Sequence, residues 1–500
     1  MLRRNLVANY LGQGWTAIMS LAFIPMYIKC LGIEAYGLIG LFALLQAWLS
    51  LLDMGMTPTL GREMARFTGG SHSAQSIRDL LRSIEVIALG IAVFIASCIA
   101  VGANWIASSW LQAEALPAEV VAQAFVIMGL VTAIRFMESV YRSSIVGLQR
   151  QVLFNVLNSA IATLRGLGAV GVLFWVSASI EAFFIWQGLV SLASLMILAV
   201  ATYASLPRAE RAGQFSLEAL RGVWKFAGGM VGITFLALLL TQVDKILLSK
   251  LLSLSEYGYY TLAAVVAGAL YVVITPITQA FYPRLCELHV RNDQAGLIDT
   301  YHKGSQLVSV FAGSVAIVVI LFAETFLRLW TQDSELAQRA ASLLSLLMLG
   351  NLLNGLMWIP YQTQLAHGWT SLSVRINFVA VAVIVPAVLW ATPRFGAEGA
   401  AWVWVSLNVG YVLIGLHFMY RRILGTEKWR WYGLDIAVPL AAATAAALPF
   451  KYGWSTGNSS MAQIMTLAAA TACVTAASVL AAPYVRQQLI RTIKPTGYAG

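Results

Sequence analysis

Apolar runs about 20 residues long, enough to cross roughly 30 Å of hydrocarbon, recur along the whole of this sequence. One such run would be an anchor, but a chain made of them has lipid as its solvent. Lipid offers no hydrogen bonds to a bare backbone, so every open-chain span must be an α-helix that satisfies its own N–H and C=O groups. Composition agrees. With 59% hydrophobic and 11% charged residues and a mean hydropathy of +0.76, too few polar side chains remain to cover a water-soluble core. The first apolar stretch follows Arg3 and Arg4 but carries Asn9, Gln13 and Thr16 and no small-residue cleavage pattern, so it is expected to be a retained helix, not a signal peptide.

Reading each long apolar run as a helix predicts an all-α polytopic membrane protein with about 14 transmembrane helices. The first six are expected over 6–28, 36–60, 84–104, 118–141, 152–176 and 182–205. Six more follow over 226–248, 257–282, 305–330, 337–366, 372–390 and 397–420, then a last pair over 434–450 and 461–484. Cytoplasmic loops are enriched in Lys and Arg, and the connections alternate accordingly. Arg62, Arg66, Arg78 and Arg82, then Arg142 and Arg150, then Arg421, Arg422, Lys428 and Arg430 fall on one side. The loop after the third span, on the other side, carries Glu114 and Glu119 and no basic residue. Both termini are therefore expected on the cytoplasmic side. The net charge of +10 is spread among hydrophobic spans and forms no soluble basic face, which argues against a nucleic-acid partner.

An internal repeat organises the spans. Gly32-Ile33-Glu34-Ala35-Tyr36-Gly37 resembles Leu254-Ser255-Glu256-Tyr257-Gly258 at an offset of roughly 221 residues, and Asn155 answers similarly to Asn377. The offset spans six helices, an even number, so the two halves share one membrane orientation and their symmetry axis lies along the bilayer normal. The expected domains are two six-helix bundles, residues 1–210 and 211–425, with residues 426–500 supplying two appended helices and a cytoplasmic tail.

Several segments, in order, resemble the oligosaccharide flippases of the multidrug/oligosaccharidyl-lipid/polysaccharide exporter superfamily. They are Pro25-Met26-Tyr27 with Leu31-Gly32, Tyr36-Gly37-Leu38, Leu52-Asp53-Met54-Gly55 and Gly61-Arg62-Glu63-Met64-Ala65. The second half adds Asp244-Lys245-Ile246-Leu247-Leu248, Glu256-Tyr257-Gly258-Tyr259-Tyr260 and Phe395-Gly396-Ala397-Glu398-Gly399-Ala400-Ala401. The resemblance implies two bundles in a V around a central cavity, alternating access, and transport of undecaprenyl-diphosphate-linked oligosaccharide repeats across the bacterial inner membrane. Membrane lipid, a polysaccharide polymerase and chain-length proteins would be its partners.

Charges inside spans cost about 2.5–3.5 kcal/mol each at a helix centre, so they face a cavity or a partner. Arg165 shares a helical face with Asn155, Asn158 and Ala162, and a guanidinium fork can replace the hydration of a diphosphate. Arg165, Arg135, Asn158 and Lys245 are the substrate-binding candidates, the alternative for Arg165 being a structural bond to a neighbouring helix. Arg135 and Glu138 are three residues apart and are expected to neutralise each other as readily as to act. Asp53, Glu138 and Asp244 are candidates for coupling to a proton or sodium ion. For Asp53 the alternative is helix capping or pairing with Arg62, and for Asp244 and Lys245 it is interfacial anchoring, each with its own partner. Asn9, Gln13, Gln46, Asn351, Asn354 and Gln362 are amides placed to line a sugar path or to bond between helices.

Enzymatic function has little support: there is no phosphate-cradling glycine loop, and no large loop to hold an acid and a base together. Cys30, Cys98, Cys286 and Cys473 have no metal or disulfide spacing, and no cofactor beyond a coupling ion is expected. The rival readings are a multidrug or cation antiporter of the same superfamily and a lipid scramblase. Basic residues in the lumen favour a diphosphate; acidic ones would favour a cationic drug.

Overall fold

A computed structural model of the chain describes residues 2–493 except 54, 69, 71, 208, 210, 219, 221–234, 236, 237, 240, 370 and 454–458. Twelve segments among the described residues are helical, long and apolar enough to cross a membrane. One of them, Ser371–Tyr420, holds two of the expected spans: Gly396 at φ 60°, ψ −149° breaks the helix where a Cβ would be strained. With that break the segments accommodate spans one to six and eight to fourteen of the sequence reading. Most of the expected span 226–248 lies outside the described residues.

The chain divides into two compact units, Met1–Gly258 and Tyr259–Gly500. In the first, α1 (Leu2–Ala22), α2 (Ile24–Leu31) and α3 (Ile33–Leu49) lead into α4 (Met56–Thr68). The expected second span, 36–60, is shorter than predicted. It stops at Asp53 because Gly55 takes φ 72° and the Asp53 carboxylate caps the next helix, accepting from the Thr57 N–H at 3.1 Å and its hydroxyl at 2.8 Å. Then come α5 (Ala74–Trp105), α6 (Ala118–Gly147), α7 (Gln151–Trp175) and α8 (Ile180–Ser205). α6 packs between α5 and α8, and α7 packs on α1 and α8. Phe94, Val101, Leu167, Phe174, Trp175 and Val200 point outward and exposed, as lipid-facing side chains should.

The two copies of the repeated motif touch within the first unit. A Cβ on Gly37 would run into the Leu254 carbonyl and the Gly258 amide, and a Cβ on Gly258 would run into the Ile33 carbonyl. Positions 33 and 37 thus meet their equivalents, 254 and 258, backbone to backbone. Nearby, the buried Glu34 carboxylate accepts from the backbone N–H groups of Glu114 and Ala115, both at 2.8 Å, and so fixes the loop after α5. These contacts account for the glycine and the acid in the first copy of the motif.

In the second unit α9 (Leu254–Gly268), which begins just before it, is followed by α10 (Leu270–Val290), α11 (Gln294–Leu321), α12 (Ala323–Thr331), α13 (Ser334–Leu356) and α14 (Trp358–Ala366). The kinked α15 (Ser371–Gly410), α16 (Val438–Leu448), α17 (Ser460–Ala481) and α18 (Pro483–Ile493) complete it. α11 is the central column, packing against α10, α13, α16 and α17. The C-terminal pair reaches it through Ala443, Ala447, Ala470 and Val474 against Ile317 and Val318. Small side chains let these backbones approach closely, which is how helices gain packing energy where lipid removes the hydrophobic drive.

Gly37→Leu is expected to destabilise the protein by about 1–3 kcal/mol through overpacking. Thermal unfolding in detergent measures it, with Gly90→Ala, mid-helix and with a Cβ that would meet nothing within 4 Å, as the comparison expected to stabilise by up to about 1 kcal/mol.

Candidate functional site

One cluster of charged and polar side chains in the first unit is built from four helices. On α6, Arg135, Glu138 and Arg142 stand at i, i+3 and i+7 and so share one face. α8 presents Gln187, Ser191 and Ser194 at i, i+4 and i+7, and α7 presents Asn158 and Arg165 two turns apart. α3 adds Phe42 and Gln46, one turn apart.

Arg135 is the fixed point. Its Nε donates to Ser191 Oγ at 3.2 Å, one terminal nitrogen to Gln46 Oε1 at 2.9 Å and the other to Gln187 Oε1 at 2.9 Å. The guanidinium also lies over the Phe42 ring, 4.9 Å from its centroid. All these partners are neutral, and among the described residues Arg135 makes no ion pair. The expected mutual neutralisation of Arg135 and Glu138 is therefore corrected. Glu138 turns instead to Arg142, one turn along α6, at 3.5 Å and to Arg165 on α7 at 3.9 Å, while α3 and α8 supply the acceptors for the Arg135 fork.

From there a polar relay runs across the unit. Arg165 donates to Ser191 at 3.5 Å, so one hydroxyl serves both guanidiniums. Arg142 donates to Asn158 Oδ1 at 3.2 Å, and Asn158 donates to Thr16 at 3.2 Å on α1. Two guanidiniums thus face one carboxylate while a third is held by neutral acceptors, and positive charge is in excess. The buried Arg165 Nε, Gln46 Nε2 and Glu138 Oε2 lack hydrogen-bond partners among the described residues. Groups like these cost about 1–3 kcal/mol each when left unpaired, so the cluster has capacity for further polar atoms.

The other sequence candidates lie elsewhere. Asn155 donates to Asn9 at 2.6 Å and Asn9 to Gln151 at 2.9 Å, tying α7 to α1, while Gln13 is exposed on α1. Asp53 is the cap of α4 described above. Lys245 donates to the Thr241 carbonyl at 2.8 Å, and its Nζ is 3.7 Å from Asp244; the adjacent residues, expected to need separate partners, reach each other because the lysine stem folds back. In the second unit Asn354 accepts from Tyr271 at 3.0 Å and donates to Asn408 at 2.9 Å, and Asn351 accepts from Trp404 at 3.0 Å. Gln362 is half-buried on α14. Gln187 and Ser191, which hold both arginines, are absent from the sequence-based candidates. Their signal is the polar stripe Gln187, Ser191, Ser194 at helical spacing in an otherwise apolar span.

A many-span chain whose described residues are mostly helical, with an arginine-rich polar relay between its helices, has the architecture of a polytopic membrane protein. Comparison with known proteins gives the family. The chain belongs to the polysaccharide biosynthesis protein family, whose profile matches residues 2–289. It is 19% identical over 421 residues to a putative O-antigen transporter of Shigella flexneri, covering 84% of this chain and 98% of that protein. Its fold matches that of the lipid II flippase MurJ in an inward closed conformation, with a TM-score of 0.68 at 11% identity over 97% of this chain and 99% of that one. A multidrug resistance MATE family transporter of the MOP superfamily, inward-facing, gives a TM-score of 0.63 at 15% identity over 83% and 96% of the two chains. At these identities the structural likenesses establish the fold alone.

Gln187→Leu deprives the Arg135 fork of one acceptor and is expected to cost about 1–3 kcal/mol in denaturant or thermal unfolding. Leu189→Ala, at an exposed position two residues along the same helix, is expected to shift stability by no more than about 0.5 kcal/mol.

Proposed function

We propose that this protein is a flippase that carries undecaprenyl-diphosphate-linked oligosaccharide repeats across the bacterial inner membrane by alternating access, with both termini cytoplasmic. The observation that carries the reading is the excess of guanidinium over carboxylate at Arg135, Arg142, Arg165 and Glu138. A diphosphate entering the protein gives up its water, and fixed N–H donors replace that hydration at close range. An exporter of cationic drugs needs the opposite sign at its site, so the charge balance separates two readings that the shared fold leaves open. Membership of the polysaccharide biosynthesis family and the likeness to a putative O-antigen transporter support the same choice. A polysaccharide polymerase and chain-length proteins are the partners such a substrate calls for.

Within the cluster Arg165 is the contact that substrate would meet. Its Nε is unbonded and its one carboxylate partner is 3.9 Å away, whereas Arg135 is held by three acceptors. Arg165→Ala is expected to abolish surface polysaccharide in a complemented deletion strain while membrane levels stay normal, and Arg165→Lys to restore it in part. Surface polysaccharide undiminished in the alanine variant would remove Arg165 from the site.

Coupling to a proton or sodium gradient belongs to the same reading. Glu138 is its best seat, being the acid inside the arginine cluster, whereas Asp53 caps a helix and Asp244 lies beside Lys245. In liposomes, transport by the unmodified protein is expected to fall when one of the two gradients is collapsed, and Glu138→Gln to lose that dependence. Asp53→Asn, which keeps a capping oxygen, is expected to retain it. Transport indifferent to both gradients would rule coupling out.

A further inference from the structure

The second unit holds a titratable cluster that none of the transport chemistry uses. His302 on α11 is fully buried, and both of its ring nitrogens face carboxylates: Nδ1 contacts Asp435, itself fully buried, and Nε2 lies 2.9 Å from Glu427 Oε2. Asp435 and Glu427 belong to residues 425–437, the segment that leads into α16. A neutral imidazole has one N–H. Set between two ionised carboxylates, it can donate to one, and its other nitrogen then turns a lone pair toward a carboxylate oxygen. Both contacts are hydrogen bonds only when the trio holds one proton more than a neutral ring and two carboxylates.

We propose that His302, Asp435 and Glu427 form a one-proton binding site that latches residues 425–437 onto α11. The surroundings fit that proton count. Arg430 is 3.6 Å from Glu427, so with the proton bound two positive groups balance two carboxylates. The remaining Asp435 oxygen accepts from Gln306 at 2.8 Å, whose own carbonyl oxygen accepts from the Tyr484 backbone at 2.9 Å. The Tyr484 ring stacks on His302, its hydroxyl accepts from Arg430, and Arg486 on the same helix donates away, to the Leu480 carbonyl. Tyr301 and Tyr420 bond each other at 2.6 Å, and Tyr432 donates to the Val412 carbonyl. Lys303 is taken by Asp299, Lys428 by His417, and Thr426 donates to Glu427. No further cation among the described contacts of the trio stands ready to replace the proton. Its loss would leave a buried negative charge in excess and one contact repulsive, which frees the segment.

The site stands independently of what the chain transports, and amide hydrogen exchange of the full-length protein in detergent micelles tests it, using buffers of about pH 6 and about pH 9 as the proton source and sink. After correction for intrinsic exchange, residues 425–437 are expected to exchange at least about tenfold faster at the higher pH, with α5 unchanged. Asp435→Asn lets a neutral ring donate to Glu427 and accept from the new amide while Gln306 keeps its acceptor, so this variant is expected to stay protected at both pH values. Glu427→Gln, at the less buried carboxylate, is expected to do the same and serves if the first variant fails to fold. His302→Leu, which has no donor for either acid, is expected to open the segment at both pH values. Equal protection of the unmodified protein at the two pH values would overturn the proposal, as would amide variants that open with pH as it does.

Discussion

A guanidinium among membrane helices has no water to hydrate it, and the structure around Arg135 is arranged to supply the substitute. Its fork draws one acceptor from α3 and two from α8 while its own stem belongs to α6, so one charge fastens three helices at a common depth. The partners are neutral amides and a hydroxyl, not a carboxylate, so the positive charge is solvated without being cancelled. That distinction leaves the cluster with more positive than negative charge. Arg165 shares Ser191 with Arg135, lies 3.9 Å from Glu138 and keeps its Nε without a hydrogen-bond partner among the described residues.

The second unit handles buried charge in a different way. There, with the proposed proton bound, the acids and bases balance around His302, and hydrogen bonds link the trio to Gln306, Tyr484 and Arg430. A balanced cluster grips its own helices; an unbalanced one grips a ligand. The two sites show how the same residue types serve structure in one place and recognition in another, with the local count of charges deciding between them.

How much could be read beforehand follows from what lipid demands. Backbone satisfaction forces helices on apolar runs of sufficient length, so span positions were legible, including the break at Gly396, and the second span erred where a single glycine changed the path, at Gly55. The repeat was legible as well, because close backbone approach between its two copies requires glycine at 37 and 258. Partnerships were not. Arg135 and Glu138 are neighbours on one helix by spacing, yet Arg135 finds its partners on α3 and α8, and Glu138 turns to Arg142 one turn along and to Arg165 on α7. His302 and Asp435, far apart in sequence, meet face to face.

The sequence by itself determined the solvent, the secondary structure, the approximate number of spans and the presence of arginines that could not be left against acyl chains. Those properties depend on composition and local periodicity, which one strand of text contains in full. Only the tertiary structure decided which arginine is satisfied, which is left reaching, and which histidine lies between two carboxylates. Each of those depends on the sum of charges and hydrogen-bonding groups brought within a few ångströms by different helices, and spacing along one helix does not encode that sum.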